Sequence, residues 1–315
     1  MTEKLESRNV LITGATGYIG ANITSRLVEN GWNVHVIVRP DSKVHLLKSV
    51  NHAIHMHIYD GSTERLIQIV HSANPSIVLH LASFATVAYE PKDILPMIKS
   101  NILFGTQLVE AMVANEVYHL INTGTYSQHF EDAPYNPQSI YAATKQAFED
   151  ILVYYSETTP LKLLTLTLFD SYGPHDPRQK IIPLLLKTMR EKKALQMTPG
   201  EQVIDLVYID DIVDAYLLAM HRMTEEESGK TEKFAVSSQR HIRLRDVVSI
   251  FEKVTNCTLP ITWGGQPYRK REAMIPWTKG VPLPGWKPKI SFEEGIAKIV
   301  TIEGDNYDFL YGFDV

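Results

Sequence analysis

Cysteine is almost missing from this chain: Cys257 stands alone. No disulfide can therefore close within it, and no cysteine-built metal site is available, which suits a reducing compartment. A run of about 18 apolar residues, the minimum for a membrane-spanning helix, is also missing. The start, Met1 to Arg8, is polar and charged and has no apolar core of a secretory signal. A cytoplasmic location is the expectation. Charge of one sign is lacking too: 31 basic residues face 36 acidic ones, a formal charge of -5. That balance gives no electrostatic reason to expect a nucleic-acid partner, although it says nothing about a single basic cleft. Neither a fixed-period repeat nor a low-complexity stretch interrupts the 315 residues.

What is present is an alternation of short apolar runs with longer amphipathic segments, the rhythm of βαβ units on a parallel sheet. Strands are expected at Asn9–Ile12, Val34–Val38, Ile54–Ile58, Ile77–Leu81, Tyr118–Asn122 and Leu163–Phe169. Helices are expected at Ile19–Asn30, about Pro96–Asn115, and Tyr141–Thr158, which has good helix formers and no internal Gly or Pro. Six strands in this order predict a doubly wound α/β sheet over residues 1–172. Beyond Tyr172, Pro and Gly become denser, as in Pro199-Gly200 and Gly264-Gly265. A smaller α/β substrate lobe is expected at 173–315, with roughly 203–222 returning to the first lobe and a ligand cleft between the two.

Directly after the first strand comes Thr13-Gly14-Ala15-Thr16-Gly17-Tyr18-Ile19-Gly20. Glycines spaced G-x-x-G-x-x-G between strand and helix permit a tight turn, backbone approach to a pyrophosphate and close helix–strand packing. The helix then aims its amide-rich end at the phosphates. At the end of the second strand, where an acid commonly meets the ribose hydroxyls of NAD, stands Arg39. An arginine there suits a 2′-phosphate through charge-assisted hydrogen bonds, so NADP(H) is favoured over NAD(H). Ser42 and Lys43 could assist, and Asp41 is a rival that could take the ribose role. Asp60-Gly61, after the third strand, offers either an adenine contact or a helix cap.

Tyr141-Ala142-Ala143-Thr144-Lys145 is a Y-x-x-x-K motif at the start of a helix. One turn separates the two side chains, so both project from one face. A free tyrosine titrates near pH 10, and a nearby ammonium is expected to favour the phenolate and bring it into acid–base range. Asn122-Thr123-Gly124-Thr125, at the fifth strand, offers hydroxyls able to hydrogen-bond a substrate carbonyl, with turn chemistry as the plainer reading.

Taken together, Gly14/Gly17/Gly20, a threonine at the fifth strand, and Tyr141 with Lys145 resemble the extended short-chain dehydrogenase/reductase family. The similarity runs on through Asn101–Met112 (its central helix), Ser171-Tyr172-Gly173-Pro174, Asp205–Asp211, and Leu283–Pro288 with Ser291–Gly295. The resemblance implies a Rossmann sheet in the first lobe, with cofactor contacts from Gly14, Thr16, Gly17, Tyr18, Ile19 and Gly20. Arg39, Asp60, Gly61, Leu81, Ala82 and Ser83 would continue that surface. It casts Tyr141 as general acid or base and Lys145 as the group that lowers its pKa and holds the nicotinamide ribose. Thr125 would orient and polarise the reacting carbonyl, with Thr123 as the alternative. Ser83 would also touch substrate, and Asn101 would support the site through water. Relatives dimerise through the central helix and the Tyr141 helix, so a homodimer is implied.

Departures from the pattern narrow the choice. Family dehydratases carry Asp-Glu after the catalytic threonine, whereas Tyr126-Ser127 follow Thr125 and have no carboxylate to eliminate water. Epimerases usually keep the acid that Arg39 replaces. The stretch Ile140–Glu149 resembles the bacterial synthases of CDP-linked dideoxyhexoses, the abequose and paratose type, which reduce a 4-keto sugar. The expected reaction is NADPH-dependent reduction of the C4 keto group of a nucleotide-linked deoxyhexose, CDP-linked by preference. A nucleotide-sugar epimerase and a non-catalytic nucleotide-binding scaffold are the rivals. Arg178, Arg269 and Arg271 are the candidate cations for the diphosphate. Asp170 and Ile204 stand where Asn and Arg are common and so alter nucleotide recognition. No metal is expected. His55 and His57 share a strand face but read as strand histidines, because no third ligand is evident. The Trp263, Trp277 and Trp286 set suits either stacking on a base or packing of the second lobe.

Overall fold

The computed structural model describes residues 8–86, 88–224 and 229–303; the polar start read above lies outside them apart from Arg8. Along the first half run β1 (Asn9–Thr13), α1 (Tyr18–Glu29), β2 (Asn33–Val38), β3 (Ile54–Ile58), α2 (Thr63–Ala73), β4 (Ile77–His80), α3 (Ile94–Ile98), α4 (Phe104–Ala114), β5 (His119–Thr125), α5 (Ile140–Thr158) and β6 (Lys162–Leu168). The second half adds β7 (Asp170–Tyr172), α6 (Ile181–Glu191), β8 (Leu195–Met197), β9 (Val203–Tyr208), α7 (Ile209–Arg222) and β10 (Thr231–Val236). It closes with β11 (His241–Arg243), α8 (Leu244–Thr255), β12 (Ile261–Trp263) and α9 (Phe292–Glu303).

Seven of these strands, all parallel among the described residues, form a sheet in the order β10-β6-β5-β4-β1-β2-β3. The winding direction reverses at β1, which has β4 on one side and β2 on the other. A crevice opens beyond the carboxyl ends of the strands at that reversal, the usual ligand position in doubly wound sheets. β1 shows why the sheet is covered on both faces. Val10 and Ile12 join the core beneath α1 and α7, with Ile23, Leu27 and Ile212. Leu11, pointing the opposite way, joins Leu66, Leu108, Phe148 and Leu152 beneath α2, α4 and α5. A period of two with apolar residues on both faces is the mark of a buried parallel strand.

Three elements differ from the sequence expectation. The sheet has a seventh strand, β10, drawn from the half assigned to the second lobe and paired with β6 from Thr231↔Leu163 to Val236↔Leu168. Its polar first half hides it from a pattern reading. β5 continues to Thr125 rather than stopping at Asn122, because Thr123, Gly124 and Thr125 all pair with β6. The central helical segment begins at Ile94 and passes through a π-turn at Lys99–Leu103, a device common at functional sites. α2, between the third and fourth strands, is capped by Ser62, whose side chain accepts from the Arg65 N–H. α7 lies against α1, where Arg26 forms ion pairs with Asp210 and Asp214.

The smaller lobe gathers the β7, β9 and β11 sheet and the β8–β12 pair around Ile182, Leu185, Val247, Phe251 and Ile296. The tryptophans follow the packing reading. Trp286 buries its ring and donates from Nε1 to the Asp211 carbonyl at 2.9 Å. Trp263 lies under the Arg245 guanidinium, and Trp277 stacks on His129 at 3.8 Å between centroids. On the far edge, His35 of β2 stacks on both His55 and His57 of β3. Among the described residues no group of three or more His, Cys, Asp or Glu side chains is arranged to hold a metal. No described helix is long and apolar enough to cross a membrane.

Candidate active site

A cavity of about 920 Å³ lies between the lobes, at the carboxyl end of the sheet. One wall is the glycine turn. Gly14 has φ +74°, and a Cβ there would lie 2.6 Å from the Ala82 nitrogen and 2.7 Å from the Leu81 carbonyl carbon. Only glycine lets β4 end this close to the turn. Gly17 is different: a Cβ there would meet only the Gly14 carbonyl, at 3.3 Å, and Gly17 lines the cavity. α1 starts from Gly17 with no side-chain cap and no acid in its first turn. Its positive end therefore faces the cavity without a competing anion, which fits a bound pyrophosphate. Gly14, Gly17, Tyr18, Ile19 and Gly20 all line this space, as do Leu81 and Ser83; Thr16 and Ala82 belong to the same two loops without lining it.

Farther along the sheet edge, Arg39 follows β2 with its side chain 68% exposed. Its guanidinium lies 3.5 Å from Asp41, and its backbone N–H donates to the Ser42 hydroxyl. Asp60 follows β3, exposed, and accepts from both the N–H and the hydroxyl of Ser62. These bonds hold its carboxyl below the usual range and give it the turn role; Gly61 follows with φ +103°.

The fifth strand and α5 supply the chemistry. The two threonines of β5 point in one direction but are differently engaged. The Thr123 hydroxyl donates to the His80 carbonyl at 2.8 Å and meets the Tyr216 hydroxyl at 2.7 Å, so its bonding capacity is used structurally. The Thr125 hydroxyl accepts from the Ser127 N–H at 3.3 Å and, like Ser83, lies on the cavity wall beside Tyr141, where both hydroxyls work to lower the pKa of its phenol. Three hydroxyls, from Ser83, Thr125 and Tyr141, thus converge at the cavity wall.

α5 is started by Ser139, whose side chain accepts from the Ala142 N–H. One turn past Tyr141, Lys145 is 2% exposed and lines the same cavity. Among the described residues no hydrogen bond or ion pair holds its ammonium. Burial lowers its pKa to about 8, with Glu149 acting in the opposite direction. Tyr141 departs from the expected direction. Burial raises its pKa above the ordinary phenol value, and the Ser83 and Thr125 hydroxyls offset this only in part. Without cofactor, then, Tyr141 is a protonated phenol that can give a proton.

Asn101 sits buried in the π-turn, held by direct contacts. Its Oδ1 accepts from the Phe84 N–H at 2.7 Å and the Ser83 hydroxyl at 3.1 Å. Its Nδ2 donates to the Phe84 carbonyl and to Thr144 Oγ1. The extra residue in the helical turn aims this amide inward, where it ties the loop after β4 to α5.

Of the three candidate cations, Arg178 and Arg269 line the cavity and Arg271 does not. Arg178 is clamped by both oxygens of Asp176 and lies over the Tyr18 ring at 4.7 Å. Arg269 is paired in fork geometry with Glu272, which also lines the cavity. Arg271 turns away, over the Phe130 ring at 4.2 Å, with its guanidinium on Asn136; the next turn of its loop carries it behind the wall. Asp170 accepts from Tyr126 at 2.9 Å and Lys180 at 2.8 Å. Lys180 holds its carboxyl ionised despite burial. Ile204 lines the cavity as an apolar patch.

Gln128 was missed from sequence. Its Oε1 accepts from the Thr125 N–H at 3.0 Å, closing a capping box with Thr125. The T-x-x-Q spacing carries that signal, but in the sequence it reads only as turn chemistry.

A doubly wound sheet with a glycine turn at its reversal point and a Tyr/Lys/hydroxyl cluster facing it defines a dinucleotide-dependent short-chain dehydrogenase type of protein. Residues 10–234 match the model of the NAD dependent epimerase/dehydratase family, and the chain belongs to that family. It is 26% identical over 300 residues to a CDP-abequose synthase of Salmonella muenchen, covering 94% of this chain and 98% of the relative. A CDP-abequose synthase of Yersinia pseudotuberculosis is also 26% identical, covering 85% and 91%. Among solved structures, the UDP-glucose 4-epimerase of Thermotoga maritima with UDP-glucose superposes with a TM-score of 0.81 at 26% identity, covering 93% of this chain and 97% of that one. The UDP-glucuronic acid 4-epimerase of Bacillus cereus, in complex with UDP-glucuronic acid and NAD, shares the fold with a TM-score of 0.82 at 23% identity, covering 94% and 99%.

Proposed function

We propose that this protein is an NADPH-dependent reductase of the C4 keto group of a nucleotide-linked deoxyhexose, with a CDP-linked sugar favoured. The reading is carried by the convergence of the Ser83, Thr125 and Tyr141 hydroxyls at a cavity where residues 126 and 127 are Tyr and Ser rather than acids. The similarity to CDP-abequose synthases supports the sugar class and the CDP preference.

The nicotinamide cofactor fits the open face of Gly17 and the uncapped start of α1, with Leu81 and Ser83 beside it. Its 2′-phosphate would meet Arg39, whose exposed guanidinium is held only loosely by Asp41. When bound, NADPH supplies a hydride to the carbonyl carbon. Thr125 hydrogen-bonds the carbonyl oxygen and polarises it. Tyr141, protonated by virtue of its burial, gives the proton to that oxygen. Lys145, whose ammonium has no hydrogen-bond or ion-pair partner among the described residues, holds the nicotinamide ribose and favours the phenolate that remains. Arg269 faces the diphosphate, its charge oriented by Glu272.

The protein acts as a cytoplasmic homodimer in this reading. α3 exposes Ile94, Leu95 and Ile98, Leu103 follows in the π-turn, and α5 exposes Val153 and Tyr154. Exposed apolar residues on these adjoining segments suit burial against a second copy.

The test follows nicotinamide absorbance with NADPH and then NADH, using 4-keto-6-deoxy sugars and their 3-deoxy forms linked to CDP, dTDP and GDP. Stoichiometric NADPH consumption with a CDP-linked ketosugar is expected. A change of sugar configuration with no net consumption would show an epimerase, the reading that the NAD-containing structural neighbours favour.

A further inference from the structure

Behind the catalytic hydroxyls lies a polar chain that the reaction as described does not use. Glu149 follows Lys145 by four residues on α5, so the two share a helix face. It is nearly buried, at 9% exposed, a position where a carboxylate needs partners. Left to itself it would pair with Lys145. Instead, its Oε1 accepts from Gln128 Nε2 at 3.1 Å and its Oε2 accepts from Lys233 Nζ at 2.8 Å. Lys233 comes from β10, the strand that the second half of the chain adds to the sheet. Gln128 in turn grips the backbone N–H of Thr125, and its Nε2 also donates to Gln146 at 2.9 Å. Gly124 packs closely here: a Cβ would lie 3.0 Å from Glu149 Oε1, so the carboxylate would have to give way by a few tenths of an ångström. One bonded path therefore runs from β10 through Glu149 and Gln128 to Thr125, and it passes beside Lys145.

We propose that Lys233 is a positioning residue for this site: by holding Glu149 it keeps that carboxylate off the Lys145 ammonium, and through Gln128 it fixes the backbone that carries Thr125. The proposal takes Lys145 and Thr125 as the working groups of the site. A carboxylate bound to Lys145 would occupy the cation needed at the cofactor ribose. The charged and titratable groups around Lys145 are few. Glu149 lies on its own helix and Tyr141 one turn before it. His80 of β4 is buried and neutral, its pKa pushed down to about 3 by burial and by Lys145. Lys233 stands across Glu149, and His129, lowered by burial and by Lys233, lies beyond it. Glu149 is the group that raises Lys145 toward its ordinary value.

The test titrates Lys145 itself in the ligand-free protein, by NMR of the full chain labelled with 13C at lysine Cε, the signal being assigned with Lys145→Arg. It needs neither cofactor nor sugar, so it fails or succeeds independently of the proposed reduction. In Lys233→Met the Lys145 midpoint should rise by about one pH unit, because an anion gains hold of it and a cation is lost. In Lys233→Arg it should stay within about 0.3 unit of the parent, because the ion pair is kept. In Glu149→Gln, which leaves no carboxylate to redirect, it should fall below the parent, and Lys233→Met/Glu149→Gln should lack the rise. The same midpoint in Lys233→Met and the parent would overturn the proposal, as would a rise that survives in the double variant. Should Lys233→Met not fold, the Glu149→Gln shift decides alone: no downward movement contradicts the proposal.

Discussion

Tyr141 is where burial and charge compete most visibly. Burial keeps its phenol protonated, two neighbouring hydroxyls work against that, and the lysine one turn away does not reverse it. A protonated tyrosine beside a threonine hydroxyl suits reduction, in which a proton must be given. Replacing Tyr141 by Phe should lower turnover by about 10²–10⁴-fold, the usual worth of a positioned proton donor. NADPH affinity, followed by fluorescence titration, should stay within about threefold. Loss of cofactor binding together with turnover would count against this role. Arg39 makes a second, separable prediction. Arg39→Ala should weaken NADPH binding by about 10-fold or more, as removal of a charge-assisted hydrogen bond does, and leave NADH binding nearly unchanged. Equal loss for both cofactors would mean that Arg39 does not read the 2′-phosphate.

Among the elements, the π-turn and the end of β5 decide how the site is held. Asn101 makes its four hydrogen bonds to Ser83, Phe84 and Thr144 only because the turn aims it inward. Asn101→Ala strands the Phe84 N–H and should cost about 1–3 kcal/mol in urea unfolding, with a further loss of turnover as Ser83 loosens. A variant as stable and active as the parent would remove Asn101 from the framework. Much of this framework is legible in sequence. β1, β4 and the glycine turn declare themselves by apolar runs and glycine spacing, and Tyr141 and Lys145 by helical spacing. What stays hidden depends on distant partners. β10 is half polar because Lys233 faces buried Glu149 and Glu232 pairs with Arg222, not because it is a loop. Arg271 and Arg269 look alike in Tyr268-Arg269-Lys270-Arg271, and only the path of the loop sends one to the cavity and the other over Phe130. Lys145 was expected to set the pKa of Tyr141, yet desolvation, which no local pattern encodes, is the larger influence.

Across the chain, buried histidines tie stability to pH. His80 is fully buried with its pKa lowered to about 3, and His35, stacked on both His55 and His57, is lowered to about 4. Both depressions mean that the unfolded chain takes up protons before the folded one does. Stability should therefore hold above about pH 6.5 and fall as pH drops from there toward 3–4. His80 contributes a slope of up to about 1.4 kcal/mol per pH unit. Urea midpoints measured from pH 8 to 4 check this, and His80→Gln should flatten the acid limb. A parent whose midpoint is level from pH 7 to 5 would contradict it. Assembly is open to a direct check as well. Sedimentation should give a dimer for the parent and a monomer for Val153→Asp/Tyr154→Asp; a parent that sediments as a monomer would remove the α3–α5 surface as an interface.

The most direct measurement uses NADPH carrying deuterium at both C4 positions of the nicotinamide, in a single turnover with a CDP-linked 4-keto-deoxyhexose. The expected product is a sugar with one deuterium at C4, formed in step with one NADPH oxidised, and Tyr141→Phe should form almost none. A product without deuterium, or a substrate that changes configuration while NADPH stays reduced, would contradict the assignment of this site as a 4-ketoreductase.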